Sequence, residues 1–151
     1  MSFILSIIII FLDQITKYFA IINLKNGPSS VIVPDFFKLV YVENYGAAFG
    51  ILKHKKAFFI VITLIVVLLI ALFLFKYQAK LNIFMKIGSG LLLGGAVGNL
   101  IDRIRFGYVV DFVSMRLFNR YEYPVFNVAD MAIVVGTLIL LFIILFDKQE
   151  I

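Results

Sequence analysis

Four blocks of apolar residues, each about as long as a bilayer-crossing helix, constrain this chain more than any other feature. They run from about Phe3 to Ile22, Ala57 to Phe75, Leu81 to Ile101 and Val128 to Phe146. A helix of roughly 20 apolar residues crosses the hydrocarbon core of a membrane. Inside that core only helices and closed barrels satisfy their own backbones. A soluble domain is about 45–50% apolar, whereas this chain of 151 residues is 63% hydrophobic, with a mean hydropathy of +1.08. The expected fold is an all-α membrane protein of four transmembrane helices, forming a single integral membrane domain over residues 1–151.

The first block could pass for a secretory signal. It lacks a basic leading segment, it is long for such a segment, and no small-x-small cleavage site follows Ala20. It reads as a retained helix. The second block is uncharged, and the third carries Lys86 near its start, where the side chain can reach the interface. Asp147 and Lys148 close the fourth.

Two connections are long. Residues 23–56 join the first two spans, with β-formers at Val31–Val33 and Phe37–Val42 around Pro34. They predict a small β-rich cap on the membrane surface. Residues 103–127 join the last two spans and are rich in aromatics and arginine. Four spans alternate, so both long loops share one face, and the short turn Lys76–Lys80 shares the other with the termini. Lys and Arg are more numerous in the long loops, and by the positive-inside tendency this would place them in the cytoplasm.

The residue inventory narrows the chemistry. There is no cysteine, hence no disulfide scaffold, thiolate metal site or thiol nucleophile. His54 is the only histidine, so two metal-binding histidines one helical turn apart cannot occur. The net charge of +5 sits in loops, where anionic lipid headgroups are a simpler partner than nucleic acid.

Charges at membrane depth are costly and mark candidate sites. Four carboxylates qualify: Asp13, Asp102, Asp111 and Asp130. Asp13 precedes Lys17 by four residues, the favourable order for an ion pair on one helix face, and a structural pair is expected. Gly90, Gly94 and Gly98 form a small-xxx-small row, suited to close helix packing. Asn99, Asp102 and Arg103 follow on one side of that helix end. Arg103 fits an interfacial anchor or a clamp for a substrate carbonyl or phosphate equally well. Asn127 can cap the fourth helix, with Asp130 in its first turn, close to a capping box. Asp111 lies among apolar residues and needs water or a second polar group. If the chain brings Asp111 to Asp130, the two can share one proton and hydrolyse a peptide without histidine, serine or metal.

Taken together, the motifs Asp13-Gln14-Ile15-Thr16-Lys17, Asn44-Tyr45-Gly46-Ala47-Ala48-Phe49-Gly50, Gly94-Gly95-Ala96-Val97-Gly98-Asn99-Leu100-Ile101-Asp102-Arg103, Val110-Asp111-Phe112 and Phe126-Asn127-Val128-Ala129-Asp130 resemble the lipoprotein signal peptidases, or signal peptidase II. Each motif alone is weak. Five in order over nearly the whole chain are specific. The resemblance implies an aspartic endopeptidase of the bacterial cytoplasmic (inner) membrane, multi-pass, with its active site at the extracytoplasmic face beneath the cap. It implies Asp111 and Asp130 as the catalytic pair. Asn44, Asn99, Arg103 and Asn127 would line the substrate site, while Asp13, Lys17 and Asp102 support the fold. The substrates would be prolipoproteins, cut before a diacylglyceryl-modified cysteine, and no metal or organic cofactor is implied. Membrane lipid is the expected surrounding partner, and a monomer is expected. Met131 departs from the family pattern, where serine often follows the final aspartate. The implied orientation opposes the count of basic residues; it is preferred because the catalytic loops must meet a cleavage point outside the cell.

Two other readings use the same features. A proton-coupled transporter also places acids at membrane depth, but no inverted repeat is visible and the acids cluster at one face. A non-catalytic membrane scaffold explains the glycine row but not Asp111.

Overall fold

The structure, a computed structural model, describes residues 1–46, 55–117 and 121–146. Among them are four helices long and apolar enough to cross a membrane. These are α1 (Ser2–Leu24), α2 (Lys56–Tyr77), α3 (Ile83–Arg105) and α4 (Val128–Phe146). A four-stranded antiparallel sheet completes the fold: β1 (Ser30–Val33), β2 (Phe37–Asn44), β3 (Val109–Leu117) and β4 (Tyr121–Glu122), in spatial order β1-β2-β3-β4.

α3 is the central post, packing on α1, α2 and α4. Glycine allows this. Gly90, Gly94 and Gly98 lie against α1, where an added Cβ at Gly94 would come within 2.8 Å of the Ile9 Cβ and 2.9 Å of the Ser6 carbonyl. A second row, less evident from the sequence, faces α4: Gly88 meets the Gly136 carbonyl and Leu140, and Gly95 meets the Ala129 carbonyl. α2, by contrast, buries little besides Leu74. Its exposed Phe, Leu, Ile and Val side chains suit lipid contact.

α3 continues beyond Ile101 to Arg105, so Asp102 and Arg103 project from a helix and not from a loop. Two residues past its end, Gly107 takes a φ of +86° that lets the chain turn sharply into β3. β3 was not anticipated as a strand, although Val109–Val113 holds four β-branched or aromatic residues around Asp111. Its side chains alternate. Val110 and Phe112 pack with Ala20, Ile21 and Leu24 at the end of α1, and Asp111 is aimed at the other face. The cap is thus sewn to the bundle by an apolar contact on one side of β3, leaving the other side for polar groups.

The close α1–α3 approach yields a stability prediction. Gly94→Val should lower the thermal unfolding midpoint measured in detergent, by an amount equivalent to about 1–3 kcal/mol, because the added atoms meet backbone as well as side chain. Leu138→Ala, at a position 60% exposed, should shift it far less. Equal shifts for the two variants would mean that the glycine row does not set the packing.

Candidate active site

Strand register brings the first two site residues together. Val42 pairs with Asp111 and Asn44 with Val109 across β2 and β3. Residues two apart on a strand share a face, so Asn44 and Asp111 are diagonal neighbours, and Asn44 Nδ2 donates to Asp111 Oδ2 at 2.9 Å. Glu43, next in sequence, anchors this end of β2. It accepts from Tyr45 at 2.7 Å and Tyr41 at 3.1 Å and pairs with Lys25 at 3.2 Å. The Tyr45 hydroxyl, with Lys25 and further tyrosines, lowers the Glu43 carboxyl to about 2.

Asn127 joins the two carboxylates. Its Nδ2 donates to Asp111 Oδ1 at 2.7 Å, while its Oδ1 accepts from the Asp130 backbone N–H at 2.9 Å. Asp130 Oδ2 accepts in return from the Asn127 backbone N–H at 3.3 Å. This is the reciprocal capping box expected at the start of α4. The box uses only one Asp130 oxygen; the other, Oδ1, accepts from Asn99 Nδ2 at 2.7 Å. Capping and membership of a site are therefore compatible.

Behind Asn99 lies a buried ionic core. The Lys17 ammonium meets Asp13 at 2.8 Å, Asp102 at 2.9 Å and Asn99 Oδ1 at 2.9 Å. All three N–H donors of the ammonium are thereby used. Asp102 also accepts from the Val110 backbone N–H at 3.0 Å and from Gln14 at 2.9 Å. Asp13 accepts from the Ala129 backbone N–H at 2.9 Å. The core thus ties α1 and α3 to the start of β3 and the start of α4. Gln14, part of this network, was noted in the sequence only as a neighbour of Asp13.

Asp111 and Asp130 line one cleft of about 420 Å³, together with Asn44, Asn99 and Arg103. Asn127 sits behind the cleft wall, fully buried. The remaining walls are mainly apolar: Val42 and Val109 from the sheet, Tyr123 to Phe126 from the loop, and Ile133 and Val134 from α4. The last two were not singled out in the sequence, yet they lie three and four residues after Asp130, the spacing that shares its helix face. Arg103 stacks over Phe59 of α2, 5.2 Å from the ring centroid, and its Nη1 donates weakly to the Asn99 carbonyl at 3.4 Å. Its guanidinium forms no ion pair within 4 Å among the described residues and lines the cleft. Met131 is 51% exposed on the outside of α4, away from the cleft-lining residues. His54 and the motif residues Ala47–Gly50 lie outside the described residues.

The two acids face one cleft, close enough for the charge of one to act on the other. Burial pushes the Asp111 carboxyl up to about 7, the neighbouring Asp130 charge adding to the rise, while hydrogen bonds from Asn44 and Asn127 oppose it. A carboxyl group that carries a proton near neutral pH, beside a second carboxylate, is equipped for acid–base work on a bound carbonyl.

The chain is similar to known proteins over nearly its whole length. Residues 5–146 match the family model described as signal peptidase (SPase) II. The chain is 44% identical to the lipoprotein signal peptidase of Clostridium tetani (strain Massachusetts / E88) over 151 residues, covering 99% of this chain and 96% of that protein. It is 38% identical to the lipoprotein signal peptidase of Staphylococcus aureus (strain JH9) over 149 residues, covering 99% and 90%. Its fold is similar to a bacterial membrane enzyme solved in meso at 2.3 Å resolution, with a TM-score of 0.87 and 34% identity, covering 99% of this chain and 93% of that one. A second such structure, at 1.9 Å, gives a TM-score of 0.85 at 36% identity, covering 97% and 94%.

The raised Asp111 pKa has a consequence for stability. The folded protein holds that proton up to about pH 7, whereas an unfolded carboxyl releases it near 3.8. Between these values the unfolded state binds fewer protons, so the contribution to stability falls as pH rises. Asp111→Asn should remove this dependence. Raising the pH from 5 to 8 should then lower the melting temperature of the wild type more than that of the variant. Parallel melting curves across this range would contradict the assignment of a buried proton to Asp111.

Proposed function

The chain belongs to the signal peptidase II family, and from that premise we propose that Asp111 and Asp130 act as one acid–base pair on a water molecule in the cleft. The protein is a multi-pass bacterial membrane protease that removes signal peptides from prolipoproteins. The aspartic mechanism is our reading, carried by one observation: two carboxylates on different elements line one cleft, each with both oxygens accepting hydrogen bonds.

Asp130 stands in the first turn of α4, where the helix dipole favours a negative charge, and it serves as the base. It takes a proton from the water as the oxygen attacks the scissile carbonyl carbon. Asp111, the proton carrier near neutral pH, hydrogen-bonds the carbonyl oxygen. The C–N bond then breaks, and the proton passes to the leaving amine. Arg103 and Asn44 hold the peptide in place. Asn99 and Asn127 hold the two carboxylates.

The cleft combines a polar end with walls of Val42, Val109, Ile133 and Val134. That mixture suits a substrate that is part peptide and part lipid, and a diacylglyceryl-modified cysteine next to the cleaved bond satisfies it. The cap and the cleft stand on the outer side of the cytoplasmic membrane, with both termini inside, because such a substrate presents its cleavage point there. The positive charge of the cap loops weighs only weakly against this, since short spans with few flanking charges give a weak topological signal.

Two measurements test the proposal. Asp111→Asn and Asp130→Asn, each purified folded, should lose cleavage of a lipidated prolipoprotein by at least about 10³-fold, and the double variant should be little worse than either. A pure capping role for Asp130 predicts near-normal cleavage, because an asparagine Oδ1 there can still accept from the Asn127 N–H and the lost charge in the first helical turn costs only about 0.3–1 kcal/mol. Near-normal cleavage by either single variant would therefore end the pair assignment. Single cysteines introduced into this cysteine-free chain test orientation: a membrane-impermeant reagent should label residue 29 and not residue 78 in intact cells. The reverse pattern would invert the proposed topology.

A further inference from the structure

Asn99 is placed between a group that only donates and a group that only accepts. Its Oδ1 takes a hydrogen bond from Lys17 Nζ at 2.9 Å, and its Nδ2 gives one to Asp130 Oδ1 at 2.7 Å. An asparagine amide can turn over about its last torsion, exchanging oxygen and nitrogen at almost no steric cost. Chemistry must therefore decide which end faces Asp130. An ammonium has three donors and no acceptor, so it demands the oxygen. Asn127 Nδ2 makes the same demand more weakly, at 3.2 Å from Asn99 Oδ1 while shared with Asp111 Oδ1 and the Val110 carbonyl.

We infer that Lys17 is a positioning residue for the reaction: by fixing the Asn99 oxygen toward itself, it keeps the Asn99 amide donating to Asp130, and so keeps Asp130 an acceptor able to take a proton from water. The inference rests on the reading of Asp130 as the base. Without the Lys17 donor, the amide can present its oxygen to Asp130, an arrangement tolerated only when Asp130 is protonated and unable to act.

The surroundings of Asp130 add to this demand for a fixed donor. Asp111 faces it from β3, Arg103 and Asp102 stand on α3, and Asp13 and Lys17 stand on α1. Lys17 is 2% exposed, between carboxylates that are 0% and 1% exposed. Two acids and one ammonium leave this core with a surplus negative charge, which by itself would favour protonation of a nearby carboxylate. The ordered amide between the core and Asp130 offsets it.

The test must separate positioning from folding. Asp102→Asn alone keeps the Lys17–Asn99 bond, because the new amide oxygen can still accept from Lys17 and from the Val110 N–H. Adding Lys17→Met to it removes the ammonium yet leaves the core with one net negative charge, the same as the wild type. Purified, folded protein is assayed for kcat and KM across pH with a lipidated prolipoprotein. Asp102→Asn should keep the wild-type kcat, and its acidic limb should not move up, because it removes the surplus negative charge of the core. The double variant should lose kcat by about 10- to 100-fold, the size of loss that follows removal of a group orienting a metal-binding side chain. KM should change little, and the acidic limb of the profile should move up by about one pH unit. A double variant with wild-type kcat per folded molecule and an unmoved acidic limb overturns the inference.

Asn99→Asp provides a second route. It keeps an acceptor for Lys17 but turns an oxygen toward Asp130, and it should give the same kcat loss and the same upward shift. A wild-type profile there also overturns the inference, and failure of both variants to fold assigns the whole network to folding and ends it. Failure of the pair itself reads differently: it appears as cleavage by Asp130→Asn. An inactive Asp130→Asn beside normal Asn99→Asp and double variants removes only the role of Lys17.

Discussion

The fold depends on one ammonium group held out of water. Lys17 sits with Asp13 and Asp102 in the interior, and each carboxylate is also bonded to the backbone of a different element, α4 through Ala129 and β3 through Val110. Burying ions is expensive, and a buried pair often stabilises no more than an apolar one would. What such a cluster does supply is a unique arrangement. Apolar helices in lipid can slide against one another with little change in burial. An ammonium with three specific acceptors permits one register of α1 on α3. In that register the N-terminus of α4 is held by Asp13 and the start of β3 by Asp102.

Asn127 then converts the meeting of elements into a site. Its side chain spends both polar ends, one on the N-terminus of α4 and one on Asp111. A helix cap and a contact between candidate catalytic groups are the same residue, so α4 cannot begin elsewhere without detaching Asp111 from Asp130. This resolves the opposition between the two meanings of Asp130. One oxygen closes the capping box and the other is turned to Asn99. The capping geometry holds the carboxylate still, and a fixed carboxylate costs less reorganisation when a reaction requires it.

Much of this was legible in the sequence because the signals are local or periodic. Four apolar blocks gave four helices, the Asp13–Lys17 spacing gave an ion pair, and Asn127 with Asp130 gave a capping box. The strands around Pro34 were readable as a β-rich segment on either side of a turn, where Asp35 takes a φ of +60°. What stayed hidden depends on contacts between distant segments. That Asp102 completes the Lys17 cluster needs α1 against α3. That Asn44 meets Asp111 needs the register of β2 on β3, which no count of residues supplies. β3 itself was obscured because its central Asp111 breaks the apolar run, and its alternation becomes visible only once Val110 and Phe112 are known to pack on α1. The glycine row facing α4 was harder to see than the row facing α1, since Gly88 and Gly95 are seven residues apart and need Gly136 opposite them to explain them.

The distribution of burial among the helices fits a membrane protease. α3 is the most enclosed helix and carries Asn99, Asp102 and Arg103 near its C-terminal end, next to the cap. α2 is nearly all lipid-facing, and its contribution to the site is the Phe59 ring beneath Arg103. A cation over an aromatic face at that depth keeps its charge available without a carboxylate partner, which would neutralise it and occupy its donors. Arg103 is thereby left facing the cleft while Lys17 is fully consumed by its acceptors. The two cations divide the work: one is spent on holding the helices and the other is kept free. The same division separates the acids, with Asp13 and Asp102 bound into the core and Asp111 and Asp130 presented to the cleft. A membrane interior tolerates so many charges close together only when each has an assigned place. In this chain those places are set by three asparagines, Asn44, Asn99 and Asn127, whose amides donate to one acid or the other and separate the core from the cleft.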